Sequence, residues 1–430
     1  MVRKYNLYLF LTGLFLILLA VYFRNTRTLI FISGALFFIN LLFCYKALLD
    51  LIRKNIHGFI FLGLFLLFLI FAIIYSPYPS ASFDDFLVSY FFNILLFLNL
   101  AIFWEEILEK GKTFWIIFCI ILGVNLIANL IFLICGVDHC KSNFHCYILW
   151  GLSGFNEGLP LNSIFHYLTR LSVIYTFNVC FFISMFFLLK NRIKWICFFL
   201  FIMDLIYLIW MGRRAALLGL FIGAIIAGFL FVKFRKIAFS ILALILLLIG
   251  TIFVSPYKKN ILIRNDKINI LLSGDYQKFK EAGSLGKRLY GWPIYLKWAI
   301  KHPFKGTGLA RRVQKKVLAD IEKDTELEHA HNIFLNLWLQ GGLQIAIVFT
   351  IFYFWLILKV FKILKNLDGR EFYFFISMFI FLVSLFVMGS LEGFEKETSF
   401  IPFWLGCGLV LGHERYLAKN KLAMIKPGRN

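Results

Sequence analysis

The chain has 430 residues, 61% of them hydrophobic and 19% aromatic, with a mean hydropathy of +0.83. Apolar runs of about 18 residues or more recur along it, which excludes a water-soluble globular enzyme, because lipid is the solvent in which such runs are stable as helices. A net charge of +22 points to nucleic acid in a soluble chain; in a membrane protein it marks cytoplasmic loops and contacts with anionic headgroups instead.

Twelve spans are predicted, at about 5–23, 28–46, 58–75, 85–104, 113–135, 171–189, 195–211, 215–232, 237–254, 332–358, 371–389 and 400–412. The first is too long for a secretory signal and lacks a small-residue cleavage pattern, so it counts as a span. Lys46, Arg53 and Lys54, Lys110 and Lys112, Lys190, Arg192 and Lys194, and Lys233, Arg235 and Lys236 fall on one side, followed by Lys359–Arg370 and the tail Arg415–Arg429. Positive charge is retained on the cytoplasmic side, so both termini are expected there, as an even number of spans requires. The fold class is thus an all-α polytopic membrane protein. It divides into spans 1–9 over residues 1–254, a large outer loop at 255–330, and spans 10–12 with a basic tail at 331–430.

The opposite side carries Ser76–Asp85, the loop 136–170 and Glu392–Ser399. Five of the eight cysteines (Cys44, Cys119, Cys180, Cys197 and Cys407) lie inside apolar runs as small hydrophobes. Cys135, Cys140 and Cys146 flank the 136–170 loop, which also holds Asn156, Glu157 and His166. A Cys140–Cys146 disulfide and two separate thiols are both compatible with that spacing. No Cys-x-x-Cys metal spacing occurs.

The 255–330 interval holds sixteen basic residues against eight acidic ones. Long loops escape the charge rule, so the topology stands, and the excess calls for an anionic partner. Within it, Ser284 is expected to cap a helix from about Leu285 to Lys301. Leu285, Leu289, Trp292, Leu296 and Ile300 form its apolar stripe, and Pro293 would kink or split it. Such a helix lies near the membrane surface, with Lys287, Arg288 and Lys297 available to headgroups or phosphates.

Three places could carry chemistry. Arg213 and Arg214 stand between two spans with no loop between them. Charge at membrane depth is costly and is retained for a purpose, although snorkelling arginines are a bland alternative. Arg288 offers a planar fork matched to a phosphate or diphosphate, against simple headgroup binding. His331 opens a span at the outer lip, where an imidazole can take a proton from a hydroxyl or merely cap the helix, and His329 is close enough to be the working ring instead. Asp84 and Asp85 could hold a divalent metal, but adjacent carboxylates more often begin a helix.

These segments resemble the O-antigen ligases, within the wider group of polymerases and ligases that use polyprenyl-diphosphate donors. Arg213-Arg214-Ala215-Ala216-Leu217-Leu218 is similar to the family's Arg-x-x-x-Leu element, with Arg214 and Leu218 in the matching places. Gly286-Lys287-Arg288-Leu289, then Trp298, then His302-Pro303-Phe304-Lys305-Gly306-Thr307-Gly308, resembles its large-periplasmic-loop signature. His331-Asn332, nine residues and Gly342 fit its His-Asn-x9-Gly pattern, from which Ile345 departs, since a small or hydroxylated residue is usual there.

The resemblance implies about twelve transmembrane helices, with periplasmic helices over a cavity, in the bacterial inner membrane. It implies inverting, metal-independent and cofactor-free transfer of a surface glycan from undecaprenyl diphosphate to a hydroxyl of lipid A-core. By the same resemblance His331, Arg214 and Arg288 are catalytic, and Arg213, Lys287, His329 and Asn332 contact the diphosphate or headgroup. A polymerase joining lipid-linked repeats, a protein O-oligosaccharyltransferase and a non-enzymatic carrier of lipid-linked glycan are the alternatives.

Overall fold

A backbone surrounded by lipid must satisfy its own hydrogen bonds, and a helix does so within each segment. In a computed structural model of the chain, residues 2–22, 26–110, 172–189, 192–210, 214–236, 272–281, 283–309, 313–315, 330–393 and 397–425 are described, with isolated positions between 239 and 270. Every regular element among them is helical. The predicted spans at 113–135 and nearly all of 237–254 lie outside the described residues, as do the 136–170 loop with Cys140 and Cys146, and residues 316–329.

In chain order the helices are α1 (Val2–Tyr22), α2 (Thr26–Phe43), α3 (Tyr45–Lys54), α4 (Ile56–Ile74) and α5 (Pro79–Asp85). A π-helical turn, Phe86–Phe91, joins α5 to α6 (Phe92–Lys110). Next come α7 (Ser172–Leu188), α8 (Ile193–Trp210), α9 (Arg214–Leu230) and α10 (Gly283–Lys301). The last four are α11 (Ile333–Gly341), α12 (Leu343–Leu364), α13 (Gly369–Leu391) and α14 (Glu397–Ile425). Four helical runs among the described residues are long and apolar enough to cross a membrane: Ile56–Ile74, Pro79–Glu109, Leu343–Leu364 and Gly369–Leu391. The helix α3 was not foreseen. It leaves α2 at 85° and is amphipathic, burying Leu51 while showing Asp50, Arg53 and Lys54.

α6 packs along α14, α9 along α13, α7 between α8 and α13, and α12 against α4. Tyr353 stacks on Phe403 with ring centroids 5.2 Å apart, and Phe400 and Trp404 close the same aromatic core. Between α2 and α6, Asn40 donates to Asn99 at 2.8 Å, a polar tie of the kind that holds helices in lipid. α9 meets α13 through a seam of small residues. A Cβ on Gly219 would stand 2.6 Å from the Ser384 carbonyl oxygen, and one on Gly223 2.9 Å from that of Ile380. As the first number rises the second falls, so the two helices run antiparallel and the start of α9 is level with the end of α13.

Ionic contacts gather at one end of the bundle. Lys359 meets Glu414 at 2.7 Å, Arg415 meets Asp50 at 3.9 Å, and Lys233 and Lys419 pair with Asp368 and Glu105. There too His413 accepts from the Trp104 indole at 2.9 Å and bonds Glu371. Of the lysines and arginines read as one side of the membrane, Lys233, Lys359, Arg415 and Lys419 therefore share an end among the described residues. The Ser76–Ser82 turn, α10, the start of α11 and the end of α13 share the other.

The predicted span at 332–358 is not one helix. It breaks at Gly342, whose φ of 93° and ψ of 167° suit glycine alone. A Cβ there would lie 2.7 Å from the Phe304 carbonyl oxygen. Gly342→Ala is therefore expected to cost roughly 1–3 kcal/mol, seen as a lower thermal midpoint of the purified protein; an unchanged midpoint would show that the corner can rearrange.

Candidate functional site

α10 begins at Gly283, ahead of the Ser284 expected as its cap, and runs through Pro293 without splitting. Its predicted apolar stripe is divided: Leu296 and Ile300 are exposed, Leu289 is half-buried and Trp292 packs inward against Ala330 and Leu339, while Gly286, Tyr290, Tyr295 and Ala299 are buried.

Arg288 is drawn inward as well. Its side chain is only 15% exposed, and Nη2 lies 4.0 Å from Oε1 of Glu392, just beyond α13. Its Nε is buried without a hydrogen-bond partner. Burial draws the guanidinium below its ordinary pKa while the charge of Glu392 pulls the other way; an arginine stays cationic in either case. Glu392 also accepts from Ser172 at the start of α7, at 3.4 Å.

One turn along α10 from Arg288, the Trp292 indole donates to the Ala330 carbonyl at 2.6 Å. Residues four apart on a helix are neighbours, so Arg288 stands beside the chain that leads into His331. That chain is firmly tied. The Ala330 N–H donates to Asn336 Oδ1 at 2.8 Å, and the buried Gln314 donates to the same oxygen at 3.4 Å. Asn332 caps α11 by accepting from the Leu335 N–H at 3.0 Å, and its amide donates to the Ser390 carbonyl at 2.9 Å. Between these ties His331 has a φ of 50°, the one positive φ outside glycine among the described residues. A positive φ is uncommon outside glycine, although histidine adopts it more readily than most residues, and it persists where its surroundings hold it.

The far end of α11 shows what the His302–Gly308 motif does. Carbonyls in the last turn of a helix lack intrahelical donors. Here Thr307 N–H donates to Leu339 at 2.7 Å and Gly308 N–H to Gln340 at 2.9 Å, while Leu343 N–H reaches back to Pro303 at 2.7 Å. Tyr90, from the π-helical turn, donates to the Gln340 side chain at 2.8 Å. The two chain segments approach so closely that a Cβ on Gly306 would overlap the Gln340 backbone at 2.2 Å. The motif is a clasp fixing α11, and with it His331, to the end of α10.

The structure brings Arg288, His331 and Asn332 together around the end of α13. Arg214 opens α9 with its side chain exposed, and the antiparallel α9–α13 pairing puts it at that same end of the bundle. Arg213 and His329 lie outside the described residues. Lys287 is exposed beside Arg288. Asn332, expected to touch substrate, has both ends of its amide engaged by the chain, which makes it a holder of His331. Asp84 and Asp85 gather no third His, Cys, Asp or Glu suited to a metal among the described residues. Glu392, Asn336 and Trp292 were missed as site residues. Only Glu392 had a signal of its own, a carboxylate at the lip of a span.

Residues 199–350 match a family model described as O-Antigen ligase. That stretch contains Arg214, Arg288, His331 and Gly342, whereas Glu392 lies beyond it. No curated protein matches the chain significantly.

Proposed function

On the premise that the chain is a multi-pass membrane protein of the O-antigen ligase family, we propose that it is an inverting, metal-independent glycosyltransferase. It moves O-antigen or a similar surface glycan from undecaprenyl diphosphate to a hydroxyl of lipid A-core, at the periplasmic face of the inner membrane. The acceptor oxygen attacks the anomeric carbon, the bond from that carbon to the diphosphate oxygen breaks with inversion, and the hydroxyl proton passes to His331. The negative charge left on the undecaprenyl diphosphate is met by Arg214 and by Arg288, the latter held in place by Glu392 so that it needs little reorganisation as the bond breaks. Arg213, Lys287 and His329 are assigned to the diphosphate and headgroup rim. Residues 255–330 are the periplasmic loop that brings Arg288 over the spans.

The observation that supports this reading best is the sharing of one helix end by a buried guanidinium and a histidine held at positive φ. Arg288 touches Glu392, and the Asn332 adjoining His331 touches Ser390. Glu392 holds the guanidinium at ion-pair distance, and the unpartnered Nε leaves a donor for phosphate.

The test is purified protein supplied with lipid-linked glycan and lipid A-core. Glycan on lipid A-core is the expected product; long undecaprenyl-linked chains would make it a polymerase, and glycan on Ser or Thr a protein glycosyltransferase. EDTA in the same assay is expected to leave the rate unchanged. Inhibition reversed by Mg²⁺ or Mn²⁺ would overturn the metal-independent chemistry and return attention to Asp84 and Asp85.

A further inference from the structure

Beyond α11 from His331, a second concavity opens between the end of α4 and the start of α12. Its volume is about 370 Å³, and it is lined by Phe68, Phe71, Tyr75, Phe304, Lys305 and Gln344. Both helices are of membrane-crossing length and composition. Around the mouth Ile74, Tyr75 and Phe304 are exposed, Phe304 to 73%, which is the aromatic and aliphatic collar found where spans leave the hydrocarbon layer. The wall beneath is apolar, while two polar groups stand at the rim. Lys305 is exposed, and no carboxylate among the described residues pairs with it. The amide orientation of Gln344 is fixed, because its nitrogen donates to the carbonyls of Phe304 at 3.0 Å and Gly341 at 2.8 Å. Its Oε1 is buried without a hydrogen-bond partner.

An apolar trough with a cation at its rim matches one kind of ligand. We infer that this groove is a lipid site, taking a membrane lipid whose headgroup carries a phosphate. The phosphate meets the Lys305 ammonium, and an acyl chain lies along Phe68 and Phe71. The site also has a mechanical consequence. Gln344 and the Phe304 carbonyl are the atoms nearest Gly342, so an occupant braces the corner from which α11 extends to His331. α11 has nine residues, about 13 Å of helix, so this site is separate from the diphosphate site.

The experiment reads binding, so it stands whether or not glycan is transferred. Full-length protein carrying the photoreactive analogue p-benzoylphenylalanine at position 304 is placed in bilayer discs of phosphatidylglycerol and phosphatidylcholine, irradiated, and the crosslinked lipid identified by mass spectrometry. Phosphatidylglycerol, which carries a net negative charge where phosphatidylcholine is neutral, is expected to be enriched over its share of the bilayer. Lys305→Glu should lower that crosslinking roughly tenfold, the equivalent of one charge-assisted contact. Lys301→Glu, the same charge change outside the groove, should leave it unchanged. Crosslinks in proportion to bulk composition, or an equal loss in Lys301→Glu, would overturn the site in favour of a diffuse surface field. Competition by soluble glycerol phosphate would overturn it in favour of a free-phosphate site.

Discussion

Arg288→Ala should abolish glycan transfer while leaving the protein folded in the membrane, with a loss of about 10²–10³ or more in kcat, the scale for removing a preorganised charge stabiliser. The leaving group is a diphosphate, and negative charge builds on it as the glycosidic bond breaks, so a cation already in place counts far more in the transition state than in binding. The geometry sharpens the expectation. Glu392 is 28% exposed and 4.0 Å from the guanidinium. Without Arg288 this carboxylate faces the incoming diphosphate as a like charge, so donor KM should rise as well. Arg288→Ala combined with Glu392→Gln should therefore recover much of the KM and little of the kcat. Arg288→Lys keeps the charge but loses the fork, and should fall between wild type and alanine. Arg214→Ala is expected to fail in transfer as Arg288→Ala does, being the second cation of the same leaving group. A near-normal kcat in Arg288→Ala would remove the electrostatic basis of the proposed reaction.

Much of this arrangement was legible in the sequence because it rests on composition. Helices stand where apolar runs predict them, at residues 58–75, 85–104, 171–189 and 371–389 among others, and Lys233, Lys359 and Arg415 of the basic loops do meet at one end. Hydrophobicity and charge sidedness are local properties, and lipid enforces both. What escaped depends on partners distant in the chain. The Arg288–Glu392 contact joins residues about a hundred positions apart, and a carboxylate at the lip of a span does not by itself say which cation it meets. The α10 stripe reads as one apolar face, yet Trp292 packs on the protein while Leu296 and Ile300 stay exposed, a division that depends on Ala330 and Leu339 far along the chain. Asn332 is a good substrate ligand by chemistry and a good helix cap by position, and only the Leu335 and Ser390 contacts show the second role. Glycines 306, 308 and 342 drew notice as a motif; that they clasp the end of α11 follows only from the backbone they touch.

His331→Ala should likewise abolish transfer, with a loss of about 10²–10⁴ for removal of a positioned base. Alanine alone is an incomplete test, because position 331 has a φ of 50° and most side chains resist that conformation. A loss of rate in His331→Ala could then come from a shifted loop. His331→Asn separates the two causes: asparagine favours the left-handed region and preserves the backbone, yet it cannot take a proton. If the imidazole is the base, asparagine should be nearly as inactive as alanine while the thermal midpoint stays at the wild-type value. Donor affinity should be retained in both, since Arg288 is held by α10 and Glu392 rather than by His331. If His331→Asn transferred at near-normal rate and His329→Ala did not, the proton would belong to His329. The ties from Trp292, Asn336 and Asn332 would then serve to aim that neighbouring ring.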